Sequence, residues 1–257
     1  MISVVYFHRA DMSLHGNWHV AADSDEHYIA DLTWGTGPSE NLLFASTASS
    51  DENDHRGHHK AFDFAKMQPC LTFDLKVVGE KLTTDTKGER LAIVAREPDC
   101  HLLHQYDVRR RRQRPTSSIR IDASGMLGDA GKPTETNRIV YSPDGLHLAL
   151  AFANNTAHVY DSRYLRSEPL HFLEHEGEEK ENTYGIVEAQ WTEEVGLVTG
   201  GADGCVRLWD VRRSSEDLRN GRVIAQRDND IGHFSLGDTA KGEHTLVRGM
   251  LWACYYV

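Results

Sequence analysis

The stretch Leu197-Val198-Thr199-Gly200-Gly201-Ala202-Asp203-Gly204-Cys205-Val206-Arg207-Leu208-Trp209-Asp210-Val211-Arg212-Arg213 decides the fold. A short apolar run, Leu197 to Gly201, leads into Asp203-Gly204, and an alternating run follows that closes on Trp209-Asp210. Asp-Gly supplies the positive φ angles of a two-residue hairpin, so the stretch reads as strand, tight turn, strand.

The closing phrase of alternating apolar residues, an aromatic and an acid recurs upstream. Ala157-His158-Val159-Tyr160-Asp161 and Leu103-His104-Gln105-Tyr106-Asp107 repeat it, and Ala61-Phe62-Asp63 is a shorter copy. The copies lie about 50 residues apart, the length of a four-stranded propeller blade with variable loops. Each is preceded by a second strand and a turn: Leu146 to Ala153 runs into Asn154-Asn155, and Leu91 to Arg96 into Pro98-Asp99. Asn tolerates the left-handed region, so Asn154-Asn155 serves as Asp-Gly does. One strand earlier, Arg138 to Tyr141 ends at Ser142-Pro143-Asp144-Gly145, and Ile186 to Trp191 ends at Glu193 to Gly196.

These units predict an all-β fold: a β-propeller of four-stranded antiparallel blades at about 28–76, 78–123, 136–174 and 183–227, in a single domain 1–257. Residues 2–7 and 17–22, within 1–23, read as the last two strands of an earlier blade. Leu246 to Trp252, within 244–257, reads as the first strand of a later one. A five-bladed ring and an excerpt of a longer propeller are both open. Polar segments fall between the strands: Ser49 to Lys60, Arg109 to Arg114, Ala123 to Thr136 and Glu174 to Asn182 read as loops. Only Ser214 to Gly221 has the composition for a helical turn.

Thr199 to Asp210 resembles the WD-repeat family nearly position by position, and Ser142 to Asp161 is a second match. The resemblance implies that a buried network of an Asp, a Ser or Thr, the Trp and a Gly-His dipeptide holds each blade. Asp203, Thr199 and Trp209 fit three of those places, with Asp210 closing the strand. The fourth is missing, because His175 and Gly177 stand in the wrong order and Gly242-Glu243-His244 is a loosened form. A divergent propeller is therefore expected.

The apolar fraction of 39% suffices for a core, and the excess of 39 Asp+Glu over 28 Lys+Arg, net −11, disfavours nucleic acid as partner. Cys70, Cys100, Cys205 and Cys254 lie far apart, without a C-x-x-C pair, and read as reduced core thiols. Met1 to Phe7 is too short for a signal-peptide core, and no apolar run approaches membrane-spanning length. An intracellular protein of nucleus or cytoplasm, with no membrane partner, is expected.

Three closing acids are followed two residues later by arginine: Asp107-Val108-Arg109, Asp161-Ser162-Arg163 and Asp210-Val211-Arg212. Among WD-repeat proteins, an aromatic-Asp-x-Arg box of this kind docks substrate receptors to the adaptor of cullin-4 RING ubiquitin ligases. The arginine offers a planar fork of donors to the partner and the Asp fixes the turn; the alternative is that the two simply pair locally. The loop Asp51 to His59 holds His55, His58, His59, Asp51 and Asp54, donors a transition metal accepts, or else is a solvated excursion. The run Arg109-Arg110-Arg111-Arg112-Gln113-Arg114 reads as an import signal, an acidic-partner contact, a phosphate-binding element or a plain loop, and the acids from Glu174 to Glu181 read as its intramolecular counterpart or as a solvated loop.

No nucleophile elbow, phosphate loop or His-Glu-x-x-His motif occurs, and Asp122-Ala123-Ser124-Gly125 lacks the elbow's first glycine. The chain reads as a non-catalytic scaffold for protein partners, without cofactor or metal. A chromatin or RNA-processing subunit and a metal-dependent propeller enzyme are the alternatives.

Overall fold

Strands that are apolar at nearly every position mark places where both faces of a sheet are covered. Four strands of this kind organise the protein: Leu42–Ser49, Arg90–Arg96, His147–Phe152 and Gly196–Gly200 have continuously buried interiors. The computed structural model describes residues 2–7, 14–21, 27–51, 53–122, 133–175, 184–193, 196–213, 221–237 and 247–249. Of 2–7, 14–21 and 247–249 it describes the backbone alone. The chain divides into two compact units, Met1–Pro133 and Thr134–Val257.

In the first unit, β1 (Ile2–Phe7) pairs antiparallel with β2 (Leu14–Ala21). Strands β3 (His27–Trp34), β4 (Leu42–Ser49), β5 (His59–Asp63) and β6 (Gln68–Thr72) form one antiparallel sheet in sequence order. Strands β7 (Val78–Thr84), β8 (Arg90–Arg96), β9 (Cys100–Asp107) and β10 (Ser117–Asp122) form the next. The two sheets pack through a cluster that includes Phe44, Phe73, Leu91, Ile93 and Tyr106.

The second unit repeats the plan. Strands β11 (Thr136–Tyr141), β12 (His147–Phe152), β13 (Thr156–Asp161) and β14 (His171–Glu174) make one sheet. Strands β15 (Glu188–Trp191), β16 (Gly196–Gly200), β17 (Cys205–Asp210) and β18 (Arg222–Gln226) make another. A short pair follows, β19 (His233–Ser235) with β20 (Val247–Gly249). Ala149, Ala151, Val159, Leu173, Leu197 and Trp209 fill the space between the two large sheets. In every blade the fourth strand is the most exposed, so burial falls from the second strand outward.

Two turns differ from their expected form. Asp203-Gly204 is not a two-residue hairpin with both residues at positive φ: only Gly204 is left-handed, at φ 74. The connection is the four residues between Gly200 and Cys205, with Gly201 N donating to Cys205 O. A Cβ at 204 would sit 2.2 Å from the Arg227 carbonyl oxygen, so the position demands glycine on both counts. At Asn154-Asn155 only Asn155 is left-handed, at φ 63, while the Asn154 side chain accepts from Thr156 N and Oγ1. Among the described residues the only helical segments are single 3-10 turns, Gly37–Ser39 and Val108–Arg110. The helical turn expected at Ser214 to Gly221 lies outside the described residues except for Gly221, as do Cys254, most of Ala123 to Thr136, and Gly242 to His244.

Candidate functional site

The blade of β15 to β18 is held by a chain of polar contacts that starts at its closing aromatic. Trp209 Nε1 donates to Thr199 Oγ1 at 2.7 Å, and the same oxygen lies 2.7 Å from His175 Nε2. His175 Nδ1 lies 2.9 Å from Asp203 Oδ1, which also accepts from Cys205 N. Every polar atom of the chain thus has a partner: Thr199 accepts from Trp209, and the His175 ring bridges Thr199 Oγ1 and Asp203 Oδ1. The other Asp203 oxygen accepts from Arg207 Nε and Nη2. All five side chains are at most 8% exposed, where an unmade hydrogen bond is costly.

This corrects the expectation that the fourth place is missing. His175 fills it, arriving just past β14 with its N–H donating to Asn155 O. Room for the ring comes from Gly201, where a Cβ would stand 2.2 Å from His175 Nδ1. The sequence signal is therefore a histidine beyond the preceding blade's fourth strand, paired with the glycine before the Asp turn, and no Gly-His dipeptide is needed.

The other blades use different polar centres. Leu150, Asn154 and Tyr160 hold the register positions of Thr199, Asp203 and Trp209, and Tyr160 Oη meets His158 Nδ1 at 3.2 Å. In the β7 to β10 blade Tyr106 Oη meets His104 Nδ1 at 3.4 Å. In the first, Ser46 Oγ meets His59 Nδ1 at 2.8 Å, and His59 Nε2 lies 2.9 Å from Val77 O. Burial is the main cause that lowers the His59 pKa from 6.5 to about 4. A histidine held neutral contributes stability that is whole above pH 6.5 and lost as pH falls toward 4. In His59→Gln, the decline of the urea midpoint between about pH 6.5 and 4 is expected to be shallower than in the wild type, with the unfolding free energy above pH 6.5 lowered by about 1 kcal/mol.

The three Asp-x-Arg boxes share one geometry. Arg163 donates to Asp161 from its backbone N, from Nε at 3.0 Å and from Nη2 at 2.8 Å. Arg212 grips Asp210 in the same way, with both side-chain contacts at 2.8 Å, and Arg109 grips Asp107 at 3.2 Å while Nη1 reaches Glu89. The arginine hydrogen bonds hold all three aspartates below the usual carboxylate range, Asp210 at about 2. The three arginine side chains remain 53%, 54% and 65% exposed. Each fork sits just past the third strand of its blade.

The arginine run is bonded within its own unit. Arg110 pairs with Asp107, Arg111 with Asp63 and Arg114 with Asp74, while Gln113 O accepts from Asp74 N. Its partners are thus Asp63, Asp74, Glu89 and Asp107, whereas Glu176 to Glu181 lie outside the described residues. The loop closes the first unit's two large sheets against each other, because Asp63 and Asp74 flank β6.

The His loop does not gather ligands. Both His59 nitrogens are engaged, Asp54 is gripped by Arg56 at 2.7 Å, and His55 and His58 are exposed. Among the described residues the one group of three close ligand atoms is Glu97, Asp99 and Cys100. Arg120 already bonds both of those carboxylates, and burial with the Glu97 contact pushes the Cys100 thiol up to about 12. Neither group fits a metal.

Four-stranded antiparallel sheets in sequence order, with almost no helix among the described residues, define the β-propeller, and the chain has that fold. Among solved structures it is similar to the Dos1 propeller, with a TM-score of 0.68 and 16% identity over 93% of this chain and 58% of that one. A chain of the crystal structure of the mitotic checkpoint complex gives a TM-score of 0.62 and 16% identity, over 91% of this chain and 61% of that one. The protein thus spans about three fifths of the length of either neighbour. No protein-family model matches the sequence. No curated protein matches it. Among the described residues no helix is long and apolar enough to cross a membrane.

Proposed function

We propose that the chain is a non-catalytic scaffold for other proteins, and that it docks as a substrate receptor onto the adaptor of a cullin-4 RING ubiquitin ligase. Asp161-x-Arg163 and Asp210-x-Arg212 form the docking pair, with Asp107-x-Arg109 as a third copy. One observation carries this reading: the same bidentate fork recurs in three blades with its arginine more than half exposed. A local ion pair at a surface contributes at most about 1 kcal/mol to folding, so folding alone gives little reason to repeat it. A guanidinium already fixed in one rotamer, by contrast, loses less entropy when a partner binds. Arginine is also enriched among the residues that dominate interface energy. The similarity in fold to a member of the mitotic checkpoint complex, a protein assembly, agrees with a scaffold.

Arg163→Ala and Arg212→Ala are expected each to reduce co-purification of the ligase adaptor with the tagged full chain by about tenfold or more. Thermal stability should stay within about 0.5 kcal/mol of the wild type, because both side chains lie at the surface. Retained co-purification, or unfolding of both variants, contradicts the docking role.

A further inference from the structure

The arginine run is not uniform. Arg109, Arg110 and Arg111 are held by Asp107, Glu89 and Asp63, and Arg111, left-handed at φ 46, ends the 3-10 turn before it. Arg112 lies exposed beyond that turn, with no carboxylate within salt-bridge distance among the described residues. Arg114 has a side chain 89% exposed and reaches only Asp74, at 3.9 Å and itself at the surface. Two cations are therefore open to a partner, and three hydroxyl residues follow them: Thr116, Ser117 and Ser118.

Arg112-Gln113-Arg114-Pro115-Thr116-Ser117 places these cations five and three residues before Ser117. In an extended chain side chains alternate, so Arg112 and Arg114 project to one side together with Thr116 and Ser118, and Ser117 projects to the other. At about 3.3 Å per residue the arginines then stand about 10 and 17 Å before the serine. The Thr116 hydroxyl is already engaged, donating to Gln105 O at 2.9 Å, whereas the Ser117 hydroxyl makes no hydrogen bond among the described residues. Ser117 is also the first residue of β10, the outermost strand of its blade, with a neighbour on one side only. It is half-buried opposite Gln105, and Thr116 N bonds the same Gln105 O, so the ladder begins on an irregular step. Fraying of that step exposes Ser117, while buried Ile119 and Ile121 keep the rest of β10 in place.

We propose that Ser117 is a phosphorylation site for a serine/threonine kinase with an acidic substrate groove. Arg112 and Arg114 lie along that groove and select the segment by charge, and the hydroxyl on the opposite side enters the transfer site. The γ-phosphoryl group of ATP passes to Ser117 Oγ: the Oγ–P bond forms and the bond from phosphorus to the β–γ bridging oxygen breaks. ADP leaves with that electron pair, and the hydroxyl proton goes to the catalytic aspartate of the kinase. The product carries about −1.5 to −2 charges beside the two open cations and offsets them. Neither arginine belongs to an Asp-x-Arg box, so this site and the docking forks stand or fail independently.

The test incubates the folded full chain with magnesium ATP and the purified catalytic domain of a kinase that selects arginine both three and five residues before its acceptor. Intact mass and fragment mass spectra are expected to show one phosphoryl group, on Ser117. Arg112→Ala and Arg114→Ala should each lower kcat/KM by about tenfold or more, the loss of one charge-assisted contact. Arg110→Ala, at a side chain already held by Asp107, should leave it unchanged. Ser117→Ala should abolish incorporation, whereas Thr116→Ala and Ser118→Ala should keep it, with melting temperatures reporting that each variant folds. No incorporation into the folded chain, phosphate on Thr116 or Ser118 instead, or a rate indifferent to Arg112 and Arg114 overturns the proposal.

Discussion

Trp209→Ala is expected to lose about 3–5 kcal/mol of stability, the usual cost of deleting a large aromatic from a core. The indole is 1% exposed and packs with Ala149, Val159, Leu197 and Val211 between two sheets. It lies so close to Gly221 that a Cβ there would stand 2.8 Å from the ring. Truncation therefore opens a cavity that a blade gripped on both faces closes only in part. It also removes the donor to Thr199, at the head of the contacts that run through His175 to Asp203. Since a domain holds about 5–15 kcal/mol in all, the variant should be largely unfolded well below the wild-type urea midpoint. Tyr164→Ala, at a residue 72% exposed, should change the unfolding free energy by no more than about 0.5 kcal/mol and so leave that midpoint nearly unmoved. Equal midpoints for Trp209→Ala and Tyr164→Ala would remove Trp209 from the core of this account.

Asp203→Ala should cost a similar amount for an electrostatic reason. The carboxylate accepts from His175, Cys205 N and Arg207, and Arg207 is itself nearly buried. Removing one partner of a buried ion pair costs about 3–5 kcal/mol, because the remaining charge stays desolvated. Asp203→Asn keeps the shape and separates charge from packing. Burial by itself raises the Asp203 pKa, but the His175 hydrogen bond and charge, the Cys205 N–H and Arg207 outweigh it, and the net shift is downward from 3.8. A carboxyl whose folded pKa is lowered contributes stability that is present above about pH 4 and is lost as pH falls through the folded value. Wild-type stability should therefore drop as pH falls below about 4, and Asp203→Asn should show a flatter acid limb from a lower plateau. Parallel acid limbs in the two proteins would show that the carboxylate is not held as described.

The blades were legible because their signals are local. Alternation in Val206 to Asp210, the Gly-bearing turns and the spacing of Asp63, Asp107, Asp161 and Asp210 need no knowledge of distant residues. The second strands were legible for another reason: Leu91 to Ala95 and Leu148 to Phe152 are apolar without a break, as sheets covered on both faces require. His175 was not legible, because its role depends on a contact with Asp203 across 28 positions and on the absence of a Cβ at Gly201. The partners of the arginine run were hidden for the same reason, since Asp63 and Asp74 are brought to Arg111 and Arg114 only by the packing of neighbouring sheets.

The central claim, that exposed arginines fixed by Asp161 and Asp210 dock this propeller to a ligase adaptor, is tested most directly by calorimetric titration of the purified full chain with the purified cullin-4 ligase adaptor. The account predicts one-to-one binding by the wild type, and no measurable heat from the double variant Arg163→Ala, Arg212→Ala whose melting temperature matches the wild type. Equal affinity for both proteins, or no binding by the wild type, would contradict it.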